Sequence, residues 1–176
     1  ILASMHFGVI YAMLAKKFLA PVRNSVTRYY LNVILVLSLF ITFVLMLQGG
    51  YDSFGKALLD SVFQVVSFIS TTGFGNADNA LWPVLANVFL LLAAFHCGCS
   101  GSTTGGIKAD RMLIIFKEIG NEFRRRLHPS SVFCTKVDGH TVSKDQVSAV
   151  FLYFVAYVFI LFMSFMAVLM SGVEIS

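Results

Sequence analysis

Ser67-Phe68-Ile69-Ser70-Thr71-Thr72-Gly73-Phe74-Gly75-Asn76 joins two apolar segments of the chain. The stretch begins too apolar for a surface loop and ends too polar to lie in lipid, where backbone groups without hydrogen-bond partners are strongly disfavoured. The surroundings of this stretch therefore decide the fold class.

The composition of the 176 residues is that of a membrane protein. Hydrophobic residues make up 57% and charged residues 12%, whereas soluble domains carry about 25% charged residues. Several apolar runs also reach the length that crosses hydrocarbon, which argues against a large soluble core. The net charge of +4 does not indicate a nucleic-acid partner, because the placement of the cations matters more than their sum.

The apolar pattern divides the chain into helices and connectors. Before the polar stretch we predict the end of a preceding helix at 1–15, a basic connector at 16–30, a spanning helix at 31–48 and a shorter helix at 54–69. After it we predict a second helix at 81–97, a glycine-rich break at 98–106, a cytoplasmic-side helix at 107–127, a polar loop at 128–145 and a last spanning helix at 146–172. The chain opens without a Met start or a signal peptide, so we expect a piece of a longer polypeptide.

The positions of the Lys and Arg residues predict the orientation of the chain. Of these 13 residues, four lie at 16–28, eight lie at 108–144, and only Lys56 lies between. We therefore expect 16–30 and 107–145 on the cytoplasmic side.

Two crossings must then separate the basic segments, which places the helix at 54–69 on the outer side. This helix is short, and Lys56, Asp60 and Gln64 recur every four residues on one of its faces. We expect it to re-enter the membrane as a pore helix rather than to cross it. The expected fold is an all-α integral membrane protein with a helix–pore loop–helix repeat and flanking transmembrane helices.

The polar loop after the re-entrant helix is a candidate cation site. A loop at membrane depth must be buried in protein or line a wet pore, and the carbonyl end of the helix favours a cation there. Residues 70–75, here called the filter segment, resemble the potassium-filter sequence T-V-G-Y-G, whose carbonyl oxygens replace the hydration shell of the ion. We predict K⁺ coordination by the carbonyls of Thr71, Thr72, Gly73 and Phe74. One loop cannot enclose an ion, so four identical chains or four repeats of one chain are needed.

The glycine-rich break resembles a phosphate loop in spacing only. Gly101 and Gly106 match G-x-x-x-x-G, but Ile107-Lys108 follows instead of the required Lys and Ser or Thr, and no strand precedes the break. Its glycines and hydroxyl residues continue a helix poorly and can line water. We therefore predict a gate below the filter segment, with a passive helix kink as the alternative. The predicted gating residues are Gly98, Gly101, Ser102, Thr103, Thr104, Gly105 and Gly106.

The cysteines and His96 give no strong indication of a disulfide, a metal site or a proton-transfer site. Cys97, Cys99 and Cys134 make no disulfide framework. A thiol metal site using them with His96 is the less favoured interpretation, and small buried cysteines are the simpler one. His96 lies deep in an apolar run, where an ionisable residue is a functional candidate, but a packing role is favoured over proton coupling.

Three motifs together resemble the Trk/Ktr/HKT superfamily of potassium transporters, and most of all its TrkH-type uptake subunits. They are Ser70-Thr71-Thr72-Gly73-Phe74, the break followed by Ile107-Lys108, and Arg124-Arg125-Arg126-Leu127-His128-Pro129. The resemblance covers nearly the whole chain. Cys97 departs from it, because a further glycine is expected at that position.

The resemblance implies a role in K⁺ uptake across a bacterial cell membrane, with K⁺ as the transported ion, no organic cofactor and no enzymatic activity. It also implies four unlike repeats in one chain, a homodimer, and control by a cytosolic nucleotide-binding ring protein. This chain would supply the end of the second repeat, the third repeat, and the first helix of the fourth. The alternatives are a homotetrameric cation channel, a Na⁺-permeable member of the superfamily, and a membrane enzyme or scaffold without a pore.

Overall fold

The computed structural model describes residues 4–14, 24–48, 50–96, 98–128 and 134–171, and only the backbone of 9 and 12–14. The described part of the chain is mostly helical. Its elements are α1 (Phe7–Leu14), α2 (Ser25–Leu47), α3 (Phe54–Ile69), α4 (Val84–Phe95), α5 (Ala109–Leu127), β1 (Lys136–Val137), β2 (His140–Thr141) and α6 (Lys144–Met170). Most of the predicted connector at 16–30, as well as Cys97, lies outside the described residues.

The chain forms two compact units, residues 1–113 and 114–176, and the boundary between them falls within α5. In the first unit α2, α3 and α4 pack against one another around a buried apolar cluster. This cluster includes Ile41, Leu45, Val65, Ile69 and Leu90. The first unit therefore contains both the filter segment and the glycine-rich break.

Helix α2 begins at Ser25 because Asn24 caps it. The Asn24 side chain accepts a hydrogen bond from the backbone N–H of Thr27 at 2.9 Å, which satisfies one of the free amides of the first turn. The sequence pattern alone predicts a start at 31, where the continuous apolar run begins. Ile34, Ile41 and Leu45 are buried and share one face at helical spacing, and this face packs against the rest of the unit.

Helix α4 is shorter than the predicted 81–97. Asn79–Leu81 forms a 3₁₀ turn, and α4 begins only after Pro83. The side-chain amide of Asn87 donates to the carbonyl of Asn79 at 3.0 Å, which holds the turn against the helix. The helix ends at Phe95, directly before the break.

Two of the described helices, Ser25–Leu47 and Lys144–Met170, are long and apolar enough to cross a membrane by length and composition. Val84–Phe95 is apolar but shorter. Helix α6 has no buried residue, so its whole apolar surface is available to lipid or to other protein.

The second unit contains a hairpin within the region predicted as a loop at 128–145. Strands β1 and β2 pair antiparallel through a turn in which Asp138 and Gly139 have positive φ, as a type I′ turn requires. The Asn121 amide donates to Thr135 Oγ1 at 2.8 Å, and the Thr135 hydroxyl donates to the carboxylate of Glu118. Helix α6 then begins with a capping box between Ser143 and Gln146.

The first residues of the described chain pack against the glycine-rich break. The N–H of Cys99 donates to the carbonyl of Ser4 at 2.8 Å, and the Ser4 hydroxyl is hydrogen-bonded to Tyr30 Oη at 2.7 Å. A Cβ at Gly98 would lie 2.5 Å from the Ser4 carbonyl oxygen and 2.8 Å from Thr104 Oγ1. Only glycine fits at this position without displacement of backbone.

We predict that Gly98→Ala destabilises the full-length protein, because the added methyl group forces the break away from Ser4. Overpacking of this kind lowers the free energy of unfolding by about 1–3 kcal/mol, which thermal unfolding in detergent measures as a lower Tm. Gly105→Ala is the matched control, since a Cβ at Gly105 meets no atom of the described chain within 4 Å. Equal melting temperatures for the two variants would contradict the prediction.

Candidate functional site

The filter segment begins where α3 ends in a Schellman motif. The N–H of Thr72 donates to the carbonyl of Ser67, and the N–H of Thr71 donates to that of Phe68, each at 3.2 Å. Both bonds belong to this motif, in which the residue after the cap adopts a left-handed conformation. Ser70 Oγ adds a bond to the carbonyl of Val66 at 2.6 Å. The carbonyls of Val66, Ser67 and Phe68 are therefore satisfied within the segment itself.

Thr71 and Gly73 have positive φ, at 54° and 72°, whereas Thr72 and Phe74 do not. Glycine adopts this conformation readily, but for a β-branched residue such as Thr71 it is an outlier. Backbone strain of this kind costs about 1–3 kcal/mol and persists only where the surrounding structure enforces it. The side chains of Thr71, Thr72 and Phe74 are exposed.

Buried polar groups of α3 hold the residues that follow the filter segment. Asn76 Nδ2 donates to the carboxylate of Asp60 at 2.6 Å, and Gln64 Nε2 donates to the carbonyl of Ala77 at 2.8 Å. Asp60 is 6% exposed and Gln64 1%. Burial and interaction with Asp60 raise the pKa of the Tyr51 phenol.

The glycine-rich break interrupts the helix and folds back as a loop. His96 and Ile107 form a parallel bridge, and the N–H of Ala109 donates to the carbonyl of Gly98 at 3.1 Å. The two ends of the loop are thus joined. Gly101 and Gly106 have positive φ, at 77° and 74°, which accommodates the two reversals of the chain.

Lys108 holds this loop in its folded conformation. Its ammonium group donates to the carbonyl of Ser102 at 3.2 Å, to the carbonyl of Thr104, and to Thr104 Oγ1 at 3.4 Å. The hydroxyls of Ser102 and Thr104 are 2.8 Å apart, and Ser102 Oγ donates to the carbonyl of Cys99 at 2.6 Å. Most of the loop's hydrogen bonds therefore converge on Ser102, Thr104 and Lys108.

The loop contacts the filter segment directly. The N–H of Gly105 donates to Thr71 Oγ1 at 3.4 Å, a long bond between residues far apart in sequence. The structure thus brings together one predicted ion-binding residue and one predicted gating residue. Of the remaining predicted gating residues, Gly98 and Thr104 are buried, while Gly101 and Thr103 are exposed.

His96 and the cysteines form no metal site among the described residues. His96 Nε2 is hydrogen-bonded to the Tyr29 hydroxyl at 2.5 Å, and the two rings are 5.8 Å apart. Cys99 is buried and free, and Cys134 is exposed and free. His96 therefore has a packing and hydrogen-bonding partner.

Sequence reasoning alone missed the contacts of Lys108 and Asn76. Lys108 was counted among the cations that orient the chain, and its place directly after a hydroxyl-rich loop was the available signal. The four-residue spacing of Asp60 and Gln64 on the short helix indicated a polar face, but Asn76 as its partner required the folded chain.

A sequence model of the TrkH family, described as a cation transport protein, matches residues 18–174. The Trk system potassium uptake protein TrkH of Salmonella typhimurium is 33% identical over 175 residues, which cover 99% of this chain and 36% of that protein. TrkH of Halomonas elongata is 38% identical over 130 residues, which cover 74% of this chain and 27% of that protein.

The fold is also that of a solved relative. The crystal structure of the potassium transporter TrkH from Vibrio parahaemolyticus matches with a TM-score of 0.90 and 28% identity, covering 98% of this chain and 38% of that one. The chain thus spans about a third of the length of the relatives it matches. The resemblance seen in the sequence motifs is confirmed: the chain belongs to the TrkH family of cation transport proteins.

Proposed function

We propose that the protein containing this chain takes up K⁺ across the bacterial cell membrane, and that this chain supplies one quarter of its ion filter. The observation that carries the proposal is the filter segment, a polar loop with alternating φ signs at the end of a short helix packed between α2 and α4. The names of the relatives, which are potassium uptake proteins, support K⁺ as the transported ion.

The backbone of the filter segment suits carbonyl coordination of a cation. Alternation in the sign of φ turns successive peptide planes, so that the carbonyls of Thr71, Thr72, Gly73 and Phe74 can face one axis and replace water around K⁺. The end of α3 adds the negative pole of its dipole at the same place. For this to occur at membrane depth, α3 must be a re-entrant pore helix, with 31–127 as a helix–pore–helix repeat.

The topology that we propose is based on the positions of the Lys and Arg residues. Residues 16–30 and 107–145 lie in the cytoplasm, and 49–80 face outward. The remaining repeats complete the filter, the lipid bilayer surrounds the apolar surfaces, and the whole protein acts as a homodimer with a cytosolic nucleotide-binding ring protein. These partners are inferred from family resemblance.

Reconstitution of the full-length protein tests this function. Liposomes that contain it should accumulate Rb⁺, a K⁺ substitute, and excess K⁺ should suppress the uptake more strongly than excess Na⁺. Rb⁺ uptake no greater than in protein-free liposomes would overturn the proposal, and equal suppression by both ions would favour a Na⁺-permeable transporter.

Gly73→Ser should shift the selectivity of the full-length protein toward Na⁺. A Cβ added at Gly73 would meet no atom within 4 Å, so the effect of the substitution comes from the positive φ of this residue. The left-handed conformation costs a non-glycine residue about 1–2 kcal/mol, which corresponds to a roughly tenfold lower K⁺/Na⁺ permeability ratio if it displaces the carbonyls.

Gly55→Ala is the control for this experiment, because a Cβ there lies at an ordinary 3.9 Å from Ser53 Oγ and no positive φ is involved. A permeability ratio that stays unchanged in Gly73→Ser would remove the claim that Gly73 shapes the filter.

We further propose that the glycine-rich break is a gate that rests closed against the filter segment. The contact between Gly105 and Thr71 supports its position directly below the ion path, and the Lys108 ammonium supports a closed conformation by binding three acceptors of the loop.

Lys108→Met should therefore raise the basal Rb⁺ flux of the full-length protein, since it removes the ammonium group that binds three acceptors of the loop. Lys108→Arg, which keeps the charge and the N–H groups, should remain closer to the wild type, and deletion of residues 101–105 gives the flux of an open path. A Lys108→Met flux equal to or below that of the wild type would favour a passive kink.

A further inference from the structure

The outer end of the filter segment is tied to the pore helix by a second set of contacts. Asp60 and Gln64 lie one turn apart on α3, and their side chains reach Asn76 and the carbonyl of Ala77, respectively. A Cβ at Gly75 would lie 3.5 Å from Gln64 Nε2, so Gln64 also closes against the segment itself. Consecutive residues at the outer end are thus held by consecutive turns of one helix.

In each of these contacts the side chain from α3 is buried, at Asp60 and at Gln64, while Asn76 is exposed. The Asp60 carboxylate accepts the Asn76 amide at 2.6 Å, and hydrogen bonds to charged groups are roughly twice as strong as those between neutral groups. Gln64 is almost fully buried, so water cannot readily replace the Ala77 carbonyl as the partner of its amide. Asp60 is thereby hydrogen-bonded to a residue that follows the filter segment.

The inner end of the filter segment is held by backbone hydrogen bonds and by hydroxyl groups. There the Schellman motif and the hydroxyl of Ser70 hold Thr71 and Thr72. Between the two ends, Thr71 and Gly73 take left-handed conformations, which require enforcement from outside. A segment whose two ends are fixed keeps its end-to-end length, and hence the spacing of its carbonyl groups.

We propose that Asp60, Gln64 and Asn76 are positioning residues that set the K⁺/Na⁺ selectivity of the filter by fixing its outer end. They do not touch the ion. They act through the backbone, because slack at residues 75–77 lets the carbonyls of Gly73 and Phe74 close around a smaller cation. The inference rests on the proposed function, and it assigns these three side chains to selectivity rather than to cation attraction.

The test measures the K⁺/Na⁺ permeability ratio, from reversal potentials or paired Rb⁺ and Na⁺ fluxes, in liposomes with full-length protein. Asn76→Ala and Asp60→Ala should each lower the ratio about tenfold, the loss expected from one charge-assisted hydrogen bond. The double variant should be no worse than either single one, because both remove the same contact.

The exchange Asp60→Asn with Asn76→Asp provides the rescue. It restores an amide–carboxylate pair with the direction reversed, so the ratio should return close to that of the wild type. Asp52→Asn is the matched control, since Asp52 is an exposed carboxylate just before α3 and should leave the ratio unchanged. Gln64→Ala should lower the ratio independently of the Asp60 pair.

Several results would overturn the inference. A selective wild type whose Asn76→Ala and Gln64→Ala variants keep the ratio within about twofold would remove it while leaving the proposed function intact. Reduced K⁺ flux with an unchanged ratio in both Asp60→Asn and Asp52→Asn would assign Asp60 to cation attraction instead. Wild-type protein without Rb⁺ uptake would overturn the proposed function together with this inference.

If Asp60→Ala does not fold, as judged by its melting temperature, Asn76→Ala and the exchange variant decide the question. A folded Asn76→Ala with lowered selectivity, rescued by the exchange, supports the inference. Failure of the exchange to raise the ratio above that of Asn76→Ala contradicts it.

Discussion

The structure of the filter segment depends on the way in which helix α3 ends. A backbone in hydrocarbon must find its hydrogen-bond partners within the protein, and α3 ends after Ile69 with its final carbonyls bound by Ser70, Thr71 and Thr72. This closure binds the carbonyls of Val66, Ser67 and Phe68 as the chain leaves the helix as a polar loop. Helices α2 and α4 pack against α3, whereas residues 71–76 that follow it are exposed.

The second interruption of the membrane helices, at the glycine-rich break, is solved differently. Here the chain bridges its own ends, with His96 paired to Ile107, and an ammonium group inside the loop binds carbonyl oxygens that water would otherwise serve. A single lysine ammonium group thus binds acceptors that would otherwise need several neutral donors. The hydroxyls of Ser102 and Thr104 add further hydrogen bonds within the same loop.

Much of the architecture was predictable because the apolar runs are long and the glycines are clustered. The family, the mostly helical fold and the positions of the polar loop and the break all follow from those patterns. Helix boundaries were less predictable, since Asn24 starts α2 by capping and the turn at Asn79–Leu81 delays α4. The left-handed Thr71 was not predictable, because a β-branched residue rarely adopts this conformation, whereas the Schellman motif that ends α3 places it there.

Thr71 has a consequence beyond its backbone geometry. Glycine at this position would relieve the strain of the positive φ, but it would also remove the hydroxyl that accepts the N–H of Gly105. Thr71 is thus conformationally strained, but its hydroxyl forms a hydrogen bond between two loops, to a residue 34 positions away in sequence. The backbone conformation of Thr71 and its hydrogen bond to Gly105 are therefore competing demands on one residue.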